Sequence, residues 1–311
     1  MKKRWLLFAI SLLLVLSACG GGGEAADKEP GSPAGGKKPE TVTYQSENGP
    51  VEVPANPKRI VGLASAPNVI ALGGNLVGVD PWTNMNPLFQ AKLQGVEVVT
   101  DENLEKIVEL NPDLIIAAPY MKNLDKLQQI APTVVYTWGK LDYLSQQLEI
   151  GKLLNKEKEA RQWVDDFKKR AEAAGKEIKA AIGENTTVSV IENGAKELYV
   201  YGDKWARGTE ILFQAMGLRM PEKVKQLTLT EGYHSFSIEV LPEFAGDYMV
   251  FSKTPEADSS FLQTETWRNI PAVKNNRVIE INAKASSYSD PITLDYLLDI
   301  FTKGFLEKKA G

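Results

Sequence analysis

Residues 155–183 restrict this chain more than any other stretch, because they read as one long helix with folded material on both sides. Ala160, Val164, Phe167, Ala171, Ala174, Ile178 and Ala181 alternate spacings of four and three, which draws an apolar stripe down one face. On the polar side Glu157 and Arg161, Asp165 and Lys169, Asp166 and Arg170, and Glu172 and Lys176 stand four apart, each acid first. Pairs in that order add about 0.2–0.5 kcal/mol each to an exposed helix. Asn155 suits the N-cap, since its side chain can accept from the free N–H groups of the first turn. Gly183 suits the stop. Such a helix is about 40 Å long, enough to join two lobes. A lone surface helix or a coiled-coil strand would carry the same stripe, but α/β pattern on both sides favours a strut.

Residues 1–18 have the order of a secretion signal: Lys2-Lys3-Arg4, an apolar run, then small residues ahead of Cys19. The run is too short to span a bilayer. Cys19 is the only cysteine, so no intramolecular disulfide can form. Leu16-Ser17-Ala18-Cys19 resembles the bacterial lipobox, whose cysteine is acylated, and this implies a lipid anchor at Cys19. Residues 19–40 are rich in Gly, Ala, Pro and charge and are expected to form a flexible tether of roughly 25 Å. The remaining chain, about 270 residues, is long for one core. It is expected to divide into an N-terminal lobe at 41–140, connecting helices at 141–183 and a C-terminal lobe at 184–311. A net charge of −4 and a pI near 5.4, with no basic run after the signal, argue against nucleic acid as a partner.

Residues 41–53 alternate and turn at Glu47-Asn48-Gly49, a hairpin signature. Strands are predicted at 59–63, 76–80, 114–117 and 133–136, with helices at 67–72, 102–110 and 122–130 between them. That order suggests a parallel sheet covered by helices. The second half is expected to repeat it, with strands at 187–191, 198–201, 248–252 and 278–281 and helices at 207–216, 238–244 and 291–306. An internal echo supports the repeat: the run starting at Asn103 aligns without gaps on the run starting at Ser237. Glu105 matches Glu239, Glu109 matches Glu243 and Asp113 matches Asp247. The fold expected is α/β, two Rossmann-like lobes joined by one long α-helix, with a ligand cleft between the lobes.

Catalytic chemistry finds little support. His234 is the only histidine, and no nucleophile elbow, P-loop or Gly-x-Gly-x-x-Gly turn follows a strand. His/Cys clusters for a transition metal are absent from the sequence, so no metal is expected to be held directly by the protein. Aromatic residues instead concentrate in loops after predicted strands. Trp82, Tyr120 and Trp138 lie in the first half, and Tyr199, Trp205, Arg207, Tyr233, His234 and Tyr288 in the second. Ligands of open α/β sheets bind beyond the carboxyl ends of the strands. Aromatic walls with a few polar groups suit a bulky organic ligand.

The run Tyr199-Val200-Tyr201-Gly202-Asp203-Lys204-Trp205-Ala206-Arg207-Gly208-Thr209-Glu210-Ile211-Leu212 resembles the signature of iron-siderophore-binding lipoproteins of Gram-positive ABC importers, especially the hydroxamate receptors. Pro57-Lys58-Arg59-Ile60-Val61, Ala131-Pro132-Thr133-Val134 and Ser289-Asp290-Pro291 carry the likeness further along the chain. The resemblance implies a monomeric two-lobed receptor with a helical backbone and little hinge motion. It implies a place on the outer face of the cell membrane, a ferric siderophore as transported ligand, no cofactor, and delivery to an ABC permease dimer. Positions matching Tyr199, Trp205 and Arg207 would contact the iron-hydroxamate centre, and Glu105 and Glu239 would dock on the permease. Where some members carry an aromatic just before the Tyr288 position, this chain has Ser287.

Charge bears on the ligand class. A ferric tris-catecholate carries three negative charges and needs cations around it, whereas the loops at 81–86 and 118–121 contain no Lys or Arg. A neutral or weakly anionic hydroxamate complex fits better, although Lys140, Lys204 and Lys284 could reach the cleft. The alternatives are a receptor for haem, a corrinoid or a catecholate, with Tyr120, Tyr233, His234 and Tyr288 as possible axial ligands for haem. Others are a surface-anchored enzyme or an adhesin.

Overall fold

A computed structural model describes residues 40–194 and 197–308; the signal, Cys19 and all of the tether before residue 40 lie outside the described residues. The described residues begin with a hairpin, β1 (Thr41–Ser46) and β2 (Gly49–Pro54), turning through Glu47 and Asn48. The first lobe is then built on β3 (Ile60–Gly62), β4 (Leu76–Val79), β5 (Glu97–Val98), β6 (Leu114–Ala117) and β7 (Thr133–Val135). All five are parallel, in the order β5-β4-β3-β6-β7. The two-residue β5 is an addition to the predicted set, too short and too exposed for hydrophobic pattern to mark.

The second lobe carries β8 (Val188–Asn193), β9 (Leu198–Tyr201), β10 (Tyr233–Phe236), β11 (Tyr248–Lys253) and β12 (Val278–Asn282), in the order β10-β9-β8-β11-β12. Chain order within the two sheets is therefore the same. The second sheet is nevertheless mixed, which corrects the expected parallel repeat: β9 runs antiparallel to β8 and to β10. Asn193 and Leu198 are register partners only five positions apart, too close in sequence for the helical crossover that a parallel neighbour needs. Alternation along β9 then puts Tyr199 and Tyr201 on the face with Glu192, and Val200 on the other.

The strut is a 26-residue helix, Glu157–Ile182. Ala160, Val164, Phe167, Ala171, Ala174 and Ile178 are buried along it, and Ala181 is half-buried. Full burial of a side chain such as Phe167 or Ile178 is worth about 1.5–3 kcal/mol. Asp166 pairs with Arg170 at 2.6 Å and Glu172 with Lys176 at 2.7 Å, whereas the Glu157–Arg161 and Asp165–Lys169 pairs are not formed. Arg170 also reaches Asp295 at 2.7 Å, and the Trp163 indole N–H donates to the same carboxylate at 3.0 Å. Asp295 thereby ties the strut to the C-terminal helix, Pro291–Glu307.

Asn155 does not cap the strut. It ends the preceding helix, Tyr143–Leu153, in the left-handed conformation with φ 55°. Its N–H donates to Lys152 C=O at 3.1 Å and the Lys156 N–H to Gly151 C=O at 2.7 Å, the two bonds of a Schellman stop. Asparagine tolerates left-handed φ better than most residues, so it serves the stop and leaves Lys156 as an N-cap without a side-chain bond. Gly183 ends the strut at φ 104°.

The echoed aspartates do matching structural work. Asp113 accepts from the Lys58 and Arg59 N–H groups at 2.6 and 2.8 Å, and Asp247 accepts from the Thr187 N–H at 2.8 Å. Each carboxylate fastens the entry to the first strand of its own sheet. The echoed helices differ: Leu104–Glu109 is an α-helix, and Ile238–Glu243 is a 3-10 helix with Pro242 inside it. Glu105 and Glu239 sit exposed in their first turns.

Candidate ligand-binding cleft

The first lobe brings its aromatics to the carboxyl ends of its strands. Trp82 lies on the short helix Pro81–Met85 directly after β4, Tyr120 follows β6, and Trp138 follows β7. Their exposures of 74, 77 and 68% mark them as surface groups rather than core. The hairpin turn holds the Trp138 segment. Glu47 accepts from the Thr137 N–H at 3.0 Å and from its hydroxyl at 2.6 Å, and pairs with Lys140 at 3.2 Å.

The second lobe answers with a cavity of about 310 Å³ lined by Glu192, Tyr199, Tyr201, Trp205 and Tyr233. Sheet register places Tyr199, Tyr201 and Tyr233 on the same face. Trp205 stands 5.0 Å from the Tyr233 ring and 4.8 Å, edge-on, from Trp138 of the first lobe. This Trp138–Trp205 contact joins the two lobes at the Trp205 wall of the cavity. Gly232, at φ 87°, makes the seat possible, because a Cβ there would overlap the Trp205 ring.

Arg207 lies behind this cavity and not among its lining residues. Its Nε and one Nη donate to the two carboxylate oxygens of Glu192 at 2.9 and 3.0 Å, and its guanidinium carbon lies 4.9 Å from the centre of the Tyr201 ring. Glu192 accepts further from the Tyr201 hydroxyl at 2.8 Å and the Ser252 hydroxyl at 2.6 Å. Burial would raise the Glu192 carboxyl, but Arg207 first, then Ser252 and Tyr201, hold it below the usual range. Burial likewise works against the Arg207 charge, and Glu192 outweighs it, raising the guanidinium above its ordinary value.

The backbone here departs from the expected helix start at Arg207. Ala206, Arg207 and Gly208 are all left-handed, with φ 56°, 54° and 76°, at a cost of about 1 kcal/mol or more for each of the first two. The helix itself begins at Glu210 as a wide π-type turn, in which Met216 N–H bonds to Ile211 C=O at 2.8 Å. The Arg207 N–H donates to Ser286 C=O at 2.7 Å, and the Ala206 N–H to buried Glu210 at 3.1 Å. Burial raises the Glu210 carboxyl.

Two sequence-predicted residues are turned elsewhere. His234 pairs with Val200, on the sheet face opposite Tyr233, and lies 5.6 Å from the Phe244 ring. Tyr288 packs on the first lobe, 5.8 Å from Phe89, with its hydroxyl 3.2 Å from that of Thr83. Of the nearby cations, Lys122 pairs with Glu102, Lys140 with Glu47 and Lys284 with Glu256, while exposed Lys204 makes no ion pair among the described residues. Among the described residues no group of three or more His, Cys, Asp or Glu side chains is placed to hold a metal ion. Glu192 is the functional candidate that pattern alone did not single out. A glutamate near the end of the strand Val188–Asn193, which is buried along its whole length, was the available signal.

A larger depression of about 700 Å³ lies at the other end of the first sheet, where strands begin, lined by residues including Arg59, Asn75, Leu76, Lys92 and Glu97. None of the aromatic loop residues reaches it. The cavity lined by Tyr199, Tyr201, Trp205 and Tyr233, beside the Trp138–Trp205 contact, is therefore the candidate site.

Residues 61–285 match the model of a family described as periplasmic binding protein. The chain belongs to this family. It is 35% identical over 304 residues to the iron(3+)-hydroxamate-binding protein FhuD of Bacillus subtilis (strain 168), covering 95% of each chain. It is 37% identical over 320 residues to the iron(3+)-hydroxamate-binding protein YxeB of the same organism, covering 99% of this chain and 98% of the relative. Among solved structures, FhuD2 of Staphylococcus aureus with bound ferrioxamine B superposes with a TM-score of 0.75 at 35% identity, covering 81% of this chain and 99% of that one. The FhuD protein from S. pseudintermedius gives 0.78 at 34% identity, covering 86% of this chain and 99% of that one.

Proposed function

We propose that this protein is an extracytoplasmic receptor that binds a ferric siderophore of the hydroxamate class and delivers it to an ABC permease for iron uptake. The observation that carries the reading is the cavity beside the Trp138–Trp205 contact, walled by aromatic rings and by Glu192, which holds the Arg207 guanidinium in a salt bridge. Flat walls contribute contact area without fixed charge, and tyrosine hydroxyls and the indole N–H donate at their rims. Iron arrives already chelated, so the protein needs no metal-ligating cluster of its own. The relatives' stated ligands fall in the same class. Tyr199, Trp205, Tyr233, Trp138, Trp82 and Tyr120 form the contact set. Arg207 offers its remaining N–H groups from behind, Tyr288 supports the first-lobe wall, and His234 stays outside.

Titrating intrinsic tryptophan fluorescence against ferric trihydroxamates, haem, a corrinoid and a ferric tris-catecholate tests this. Saturable quenching is expected with a trihydroxamate. Saturation by haem alone would favour the axial-ligand alternative, and turnover of a substrate without chelate binding would favour an enzyme.

Acylation of Cys19 would hold the receptor at the outer face of the membrane. Glu105 and Glu239, one exposed acid per lobe at matching positions, would meet basic residues on a two-fold permease. The helix dipole alone favours acids there by about 0.3–1 kcal/mol, so charge reversal is needed to separate the roles. Glu105→Lys with Glu239→Lys is expected to leave chelate affinity unchanged and to stop uptake by cells. Normal uptake by the folded double variant would leave only the dipole explanation.

A further inference from the structure

Glu192 stands out because its hydrogen bonding is complete. One carboxylate oxygen accepts from the Tyr201 hydroxyl and an Arg207 Nη, and the other from the Arg207 Nε and the Ser252 hydroxyl. A carboxylate offers about four lone-pair sites, and these four donors occupy them. Glu192 therefore has no acceptor left for a ligand, although it lines the cavity. Arg207 is different. Two of its five N–H groups are spent on Glu192, which leaves three with no side-chain partner on that carboxylate.

What such a pair presents is donors without net charge. A bare guanidinium at the back of a cavity would attract anions strongly, since unit charges interact over several ångströms in a medium less polarisable than water. With Glu192 bonded in parallel geometry, its attraction for a distant anion is largely cancelled, while its three remaining N–H groups are still donors. Three of the four nearby lysines follow the same pattern, Lys122, Lys140 and Lys284 each having a carboxylate partner, whereas exposed Lys204 makes no ion pair among the described residues.

We propose that Glu192 sets the ligand charge this cleft accepts: by neutralising Arg207 it admits uncharged iron chelates and turns away polyanionic ones. This rests on the receptor reading above. Glu192 is thus a positioning and specificity residue that acts through Arg207 and by its own charge, without coordinating the chelate. Electrostatic complementarity of this kind discriminates between partners more than it raises affinity.

The test measures affinities for two probes, a ferric trihydroxamate of zero net charge and a trianionic ferric tris-catecholate. The unaltered chain is expected to prefer the neutral probe. Glu192→Gln keeps the side-chain shape and removes the charge. It is expected to shift the affinity ratio at least tenfold toward the trianion, with the neutral probe weakened only a few-fold. Arg207→Gln, which leaves the carboxylate bare, is expected to shift the ratio at least tenfold the other way and serves should Glu192→Gln fail to fold. A ratio that stays within threefold of the parent in the folded variant, both probes moving together, would overturn the proposal and leave Glu192 a structural group. If the unaltered chain binds neither probe, the receptor reading falls, and this inference with it.

Discussion

Arg207→Ala is expected to destabilise the folded chain by about 3 kcal/mol at pH 7, the lower end of the range for stripping one partner from a buried ion pair. The lower end applies because the Arg207 side chain keeps 21% exposure and Glu192 retains Tyr201 and Ser252 as donors. The loss should depend on pH. Against the effect of burial, Glu192 is held below the usual carboxylate range by Arg207 and two hydroxyls. A carboxylate with a depressed folded pKa contributes stability above its unfolded pKa, about 4.3, and loses it as pH falls through the folded value. Without Arg207 the burial contribution is left less opposed, so the folded pKa rises. Acidification then costs the variant less than the parent. The gap between the two, measured by urea unfolding, should be widest near pH 7 and narrow toward pH 4. A gap of constant size across that range would show that the guanidinium stabilises by packing on Tyr201 and not by its charge.

Gly175→Ala is expected to destabilise by about 2 kcal/mol, against the sign that helix propensity assigns. In an exposed helix interior the change would stabilise by roughly 1 kcal/mol. Here a Cβ on Gly175 would stand 2.6 Å from the Met216 Cα and 2.9 Å from its carbonyl carbon, and closer still to its oxygen. These are backbone atoms, which cannot rotate away, and overpacking a core contact costs typically 1–3 kcal/mol and occasionally more. The wide turn that ends at Met216 lies against the strut at this point, so the strain would be felt where the second lobe joins it. Thermal unfolding of the variant against the parent decides the sign. A raised midpoint would mean that the strut and the Glu210–Ala215 helix are more loosely apposed than the distances indicate.

These two positions also mark how far sequence reasoning reaches. The strut was legible because its stripe is long and its period unambiguous, and the first-lobe strands were legible because each is short, apolar and punctuated. The reversal of β9 was not. Leu198–Tyr201 reads the same in either direction, and only the short link back to Asn193 decides it. The aromatic loop residues could be picked out by type, but which sheet face each uses depends on register, and that separated Tyr233 from its neighbour His234. Arg207 was conspicuous in the sequence, whereas its partner lies 15 residues earlier in a strand whose pattern is that of core. Arg207 itself lies in the loop after β9, outside any strand, so no periodicity links it to Glu192.

The most direct measurement is to place the iron. A crystal of the chain grown or soaked with a neutral ferric trihydroxamate, with data collected at the iron absorption edge, locates the metal by anomalous scattering without reference to any fitted ligand. A single peak in the cavity bounded by Tyr199, Trp205 and Tyr233 is the expected result. An iron peak in the depression near Arg59 and Asn75, or no peak from a crystal in which the cleft is open to solvent, would contradict the assignment of this cleft as the receptor site.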